Sequence, residues 1–175
     1  MRIARIPVAA ALTIVFALPL RAETGWLIDF QEALAFSRQE GKIILADFTG
    51  SDWCKWCQRL ESEVFAKSQF QAWARENVIL LKIDFPRLKL QPLKYKYQNE
   101  YLAKKYRVKS YPTILFLEHD GSIAGKMGYM RGGADNWIAR AESLINRHKA
   151  QGAGSDRRNR SLRDKVDRFF ERYFH

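Results

Sequence analysis

The chain has 175 residues, 47% hydrophobic and 13% aromatic, with a formal net charge of +11. That is enough apolar material for one buried core plus extra segments, and it excludes a disordered polar chain. The charge raises nucleic acid as a partner, but the cations are spread over helix faces and gathered toward the C-terminus. No zinc-finger, K-homology or RNA-recognition signature is present, so no nucleic-acid partner is expected.

Arg2 and Arg5 precede an uncharged apolar run from Ile6 to Leu20, and Leu20-Arg21-Ala22 offers a cut after Ala22. This is the pattern of a cleaved signal peptide over residues 1–22. The run falls short of the ~20 apolar residues a membrane span needs, and Pro7 and Pro19 bracket it. An uncleaved anchor is the alternative. The expectation is an exported protein, in a bacterial periplasm.

Asp29-Phe30-Gln31-Glu32 reads as a capping box, and Phe30, Ala33, Leu34 and Ser37 follow helical spacing until Gly41. A strand is predicted over 42–48, then a turn, Thr49-Gly50-Ser51-Asp52. A helix from about Trp53 carries Leu60, Val64 and Phe65 as its apolar stripe, and a second short helical piece spans Phe70 to Ala74. The nearly unbroken apolar run Val78 to Asp84 suits a strand covered on both faces. Phe85 to Asn99 reads as a loop, alone or with a short helix. It holds Pro86, Pro92 and the cations Arg87, Lys89, Lys94 and Lys96, interleaved with Tyr95 and Tyr97. A helix over 99–108, a strand over 114–117 and a hairpin turn at His119-Asp120-Gly121-Ser122 follow. A return strand to Tyr129 and a closing helix over 134–146 complete the pattern. Gln151 to Ser155 reads as a joint within a basic linker and tail, 148–175, holding eight Lys/Arg against four Asp/Glu. Leu162, Val166, Phe169, Phe170, Tyr173 and Phe174 fall on one face of an amphipathic C-terminal helix. That helix either packs on its own domain or meets a membrane surface or partner through residues 161–174.

The chemistry is concentrated in Trp53-Cys54-Lys55-Trp56-Cys57, which holds the only two cysteines. Cysteines at i and i+3 in a first helical turn lie on one face, within reach of a disulfide. The free N–H groups and positive dipole end of that turn favour a thiolate, the species that attacks a disulfide sulfur. Cys54, at the helix start, is the expected nucleophile, and Cys57, one turn inside, the resolving thiol. A structural zinc site needs about four ligands, and His119, His148 and His175 lack ligand spacing. No metal or cofactor is expected. A purely structural disulfide would close too small a loop to remove much chain entropy.

The element order β-α-β-α-β-β-α, the C-x-x-C after the first of these strands, and Tyr111-Pro112 before the hairpin together resemble the thioredoxin family over residues 25–147. The words Asp47-Phe48-Thr49-Gly50-Ser51-Asp52-Trp53-Cys54 and Asp84-Phe85-Pro86 resemble its exported subgroup of DsbH-type disulfide reductases. The resemblance implies an α/β fold, a central mixed sheet flanked by helices, for a domain over 23–147. It implies a thiol-disulfide oxidoreductase with Cys54 and Cys57 as its redox-active disulfide. Pro112 would be a cis-proline facing the pair, and the Tyr111 backbone would pair with an extended substrate segment. Trp53 and Trp56 would border the substrate, and Asp47 would be the buried acid that helps deprotonate Cys57. Asp47 stands seven residues before Cys54, one more than in thioredoxin proper.

The leading expectation is a reductase of disulfide-containing exported proteins, recharged by an upstream membrane thiol donor. An oxidase or isomerase is the alternative within the class. A binding or chaperone module, with redox chemistry secondary, is the alternative outside it.

Overall fold

The computed structural model describes residues 25–152. The predicted signal segment 1–22 and the predicted C-terminal helix, 161–174, lie outside the described residues. Five strands form one sheet in the order β1-β3-β2-β4-β5. β1 is Trp26–Leu27, β2 Ile43–Thr49, β3 Val78–Asp84, β4 Thr113–Leu117 and β5 Ile123–Met127. β1, β3 and β2 run parallel, while β4 is antiparallel to β2 and β5 to β4. This is the mixed sheet flanked by helices that the sequence implies, with a strand added at one edge.

α1, Phe30–Glu40, begins where Asp29 accepts backbone N–H bonds from Gln31 and Glu32 and ends at Gly41, whose φ of 65° is the left-handed cap. Its Phe30, Ala33 and Leu34 pack on one sheet face with Ile44, Ala46, Phe48, Ile79, Leu81 and Ile83. Leu102 and Tyr106 reach the same face from the region of α4, Leu93–Lys105. Alternation along β2 turns Ile43, Leu45 and Asp47 to the other face. There the cover is α2, Lys55–Leu60, a π-helical continuation, Glu61–Phe65, and α3, Ser68–Asn77. α5, residues 133–152, completes that cover. Ala134, Trp137, Ala141 and Ile145 recur every three or four residues along α5 and face Phe65, Phe70 and Phe116. The wholly buried Trp137 ring lies 5.6 Å from Phe65 and 5.7 Å from Phe70, and its indole N–H donates to the Gly128 carbonyl.

Three elements differ from the sequence reading. β1 is two residues long, too short to show a pattern, and is a strand because Trp26 and Leu27 pair with Leu80 and Leu81. α4 starts at Leu93 rather than near 99, because Pro92 supplies the carbonyl that Tyr95 and Lys96 bond. α5 continues through 151 and 152, where the sequence suggests a joint.

Truncating Trp137 removes the centre of this aromatic cluster and its partly buried hydrogen bond to Gly128. Trp137→Ala should destabilise the protein by about 3–5 kcal/mol, read as a lower midpoint in urea unfolding at an unchanged slope.

Candidate active site

The turn 50–53 carries the chain from β2 into α2, and its shape is set by contacts on both sides. Trp53 and Cys54 both donate backbone N–H bonds to the Gly50 carbonyl, at 3.3 and 2.9 Å. A side chain at Gly50 would run into the Trp53 indole, so this position must be glycine. Ser51 donates its backbone N–H and its hydroxyl to the two Asp84 carboxylate oxygens, at 3.0 and 2.6 Å. The Trp53 indole N–H donates to the Phe85 carbonyl at 2.7 Å. The end of β3 therefore holds the turn in place.

Cys54 is the residue that caps α2. Its backbone is extended, and its Sγ accepts the Cys57 N–H at 3.2 Å. Cys54 and Cys57 are joined as a disulfide across a Cα–Cα distance of 5.2 Å, and both are buried. In the dithiol form the same N–H and the open end of the helix would face the Cys54 sulfur and favour its anion.

The Tyr111-Pro112 bond is cis, as the family resemblance implies. Tyr111 stands edge-on to Trp53 at 5.7 Å and leans on Phe85 at 5.2 Å. The proline loop and the cysteine turn are thus parts of one surface. Trp56, Tyr111, Pro112, Gly128, Tyr129, Met130 and Arg131 line an open groove of about 460 Å³. Trp56 is half exposed, with its ring 5.3 Å from that of Tyr129. The Arg59 guanidinium lies over both rings, at 5.4 and 5.6 Å, and its Nε donates to Glu63 at 3.0 Å. Tyr129 donates its hydroxyl to the other Glu63 oxygen at 2.7 Å. The Tyr129 hydroxyl, then Arg59, hold the Glu63 carboxyl below the usual range.

Asp47 lies on the sheet face that α2 covers. It is buried, and its Oδ1 has no hydrogen-bond partner among the described residues. Burial pushes its carboxyl up to about 8; Lys82 pulls the other way, while Glu61 and Asp84 add to the rise. Lys82 is its register partner on β3 and pairs with Glu61 at 3.4 Å. The π-helical segment that continues α2 begins at Glu61, the acid that meets Lys82.

All seven residues singled out from the sequence lie on or beneath this end of the sheet: Asp47, Trp53, Cys54, Trp56, Cys57, Tyr111 and Pro112. Sequence reasoning missed Asp52, Arg59, Glu63, Asp84 as a turn anchor, and Tyr129. Only Arg59 and Glu63 leave a local trace, the i,i+4 pairing of opposite charges. The remaining contacts join residues more than thirty positions apart.

Residues 30–141 match the model of the thioredoxin-like domain. The chain is 31% identical to the disulfide bond reductase DsbH of Chlamydia pneumoniae, over 73% of this chain and 76% of that protein. It is 26% identical to the thioredoxin-related protein DsbJ of the same organism, over 70% of this chain and 37% of that protein. Among solved structures, a DsbH oxidoreductase superposes with a TM-score of 0.66 at 28% identity, covering 79% of this chain and 95% of that one. A thioredoxin from Thermus thermophilus gives 0.54 at 18% identity, covering 73% and 91%, a likeness of fold.

A buried acid raised to about 8 has a definite pH signature. Between the unfolded carboxylate value of about 3.8 and the folded value, the native state holds a proton the unfolded chain has lost. Asp47 therefore favours folding most below its unfolded pKa, and that contribution drains away as pH rises toward 8. Asp47→Asn should flatten the stability profile over this window, removing a slope that approaches ~1.4 kcal/mol per pH unit. Urea unfolding of wild type and variant at stepped pH measures the difference.

Proposed function

The chain belongs to the thioredoxin-like family, a thiol-disulfide oxidoreductase family, and from that premise we propose that it reduces disulfides in exported proteins. The observation that carries the proposal is the Cys54 sulfur, hydrogen-bonded as the cap of α2 beside a groove lined by Trp56, Tyr111 and cis-Pro112. The disulfide bond reductase DsbH among its relatives supports the direction. The charged and apolar N-terminal pattern supports export to a periplasm.

In the working direction the dithiol form meets an oxidised substrate. An extended substrate segment lies against the Tyr111 backbone, with Trp53 and Trp56 bordering the approach. The Cys54 thiolate attacks one substrate sulfur and forms a mixed disulfide. The second substrate sulfur leaves as a thiolate and takes up a proton. Cys57 then loses its proton and attacks Cys54 Sγ, releasing the first substrate sulfur as a thiol. The products are a substrate dithiol and the Cys54–Cys57 disulfide, so two electrons and two protons have moved. An upstream membrane thiol donor returns the pair to the dithiol. Asp47, at about 8, lies close to a thiol near ~8.5, so its ionised fraction would serve as proton acceptor for Cys57.

The oxidase reading draws on Lys55, an exposed cation in the first turn of α2 that would stabilise the reduced form and raise the potential. A potential nearer that of thioredoxin, ~−270 mV, than that of DsbA, ~−120 mV, separates the two.

Wild type should reduce insulin with a dithiol regenerant. Cys54→Ser should abolish turnover, and Cys57→Ser should stall as a trapped mixed disulfide. Equal activity in wild type and Cys54→Ser would overturn the catalytic role. A potential near the DsbA value would leave an oxidoreductase but reverse its direction.

A further inference from the structure

Residues 85–99, the loop after β3 and the first turns of α4, form a basic-aromatic stretch that disulfide exchange does not use. Residues 85–99 hold four Lys/Arg and no Asp or Glu. Leu88 is 83% exposed, Leu90 104% and Leu93 64%, and Tyr97 is also exposed. Such side chains in a slack loop would fold back on the protein. Here the backbone prevents it. The Asp52 carboxylate accepts N–H bonds from Arg87, Leu88 and Lys89, at 3.0, 2.8 and 3.2 Å. The Arg87 guanidinium is stacked 3.9 Å from the centroid of the Trp53 ring. Gln91 and Asn99 both donate to the Asp84 carbonyl. The loop is a braced turn that presents leucines to solvent.

We propose that this loop, with the first turn of α4, is an interfacial anchor for an anionic phospholipid bilayer. Leu88, Leu90 and Leu93 enter the acyl boundary, while Arg87, Lys89 and Lys96 meet the headgroup phosphates. Lys94 is held by Asp29 at 2.6 Å and sits behind this contact. Two observations favour lipid over a protein surface. Arg87 and Lys89 alternate with Leu88 and Leu90 along the loop, and residues 85–99 hold no acid, whereas the cores of protein interfaces are poor in charge and depleted in Lys. Long cationic stems beside apolar tips suit a bilayer, because the stems lie along apolar surface while their heads reach phosphate. Through Asp52 and Trp53 the anchor is joined directly to the cysteine turn, so docking would bring that turn to the membrane edge. The binding itself does not depend on the direction of electron flow.

The test uses the full chain in its oxidised form, where Cys54 and Cys57 are bonded to each other and do not take a thiol label. Leu90→Cys carries an environment-sensitive fluorophore, and Glu76→Cys, exposed on α3, carries the control. Both are mixed with vesicles of phosphatidylcholine and phosphatidylglycerol, and with phosphatidylcholine alone. The Leu90 label should shift to the blue on anionic vesicles only, the shift should fall away in high salt, and the Glu76 label should not move. In co-sedimentation, Leu88→Ser combined with Leu90→Ser should weaken binding to anionic vesicles by about tenfold. Sedimentation with an unshifted Leu90 label would assign binding to another segment and overturn the proposal. So would an equal shift on neutral vesicles, an unchanged affinity in the double variant, or no binding at all.

Discussion

One contact organises the functional end of this molecule: a cysteine sulfur takes the place of the oxygen that ordinarily caps a helix. A serine or aspartate at that position satisfies a backbone N–H and nothing more. With Cys54 there, the N–H of Cys57 donates to sulfur. In the dithiol form that contact would favour the thiolate, the species that attacks a disulfide. Cys57 is one turn along on the same face, so the N–H that would favour the first thiolate belongs to the residue proposed to attack that sulfur in the second step.

The rest of the fold keeps that cap in register. β2 delivers the chain to the turn at its C-terminal end, and β3 supplies the anchor through Asp84. The Gly50 carbonyl and the Trp53 indole fix the approach to Cys54. On the opposite side, Tyr111 and Pro112 reach the same surface from the start of β4, and Tyr111 touches Trp53 edge to face. Tyr129, just beyond β5, closes the groove with Trp56 and Arg59. Beneath the helix, Asp47 is buried in a site that disfavours its charge.

Much of this was legible in the sequence because it is encoded locally. Asp29 and Gly41 mark the ends of α1, and the C-x-x-C marks the start of α2 within a residue or two. The buried position of Asp47 follows from the family resemblance rather than from any pattern within β2. What was not legible depends on distant partners. β1 has no pattern of its own and exists through pairing with β3. The first turns of α4 carry Lys and Tyr on all sides and bury almost nothing, so no apolar stripe announces them. Asn99 and Leu102 are the buried residues of that helix, and both come late in it. The contacts of Asp84 with Ser51 and of Asp52 with the following loop cross more than thirty positions, which spacing cannot reveal.

The claim beneath all of this is that the end of α2 stabilises the anion on Cys54. The direct measurement is a pH titration of the reduced protein by thiolate absorbance, paired with alkylation rates to assign the sulfur that reacts. Cys54 should ionise well below the ~8.5 of a free cysteine and react first. Ionisation at or above that value, or preferential alkylation of Cys57, would contradict the account.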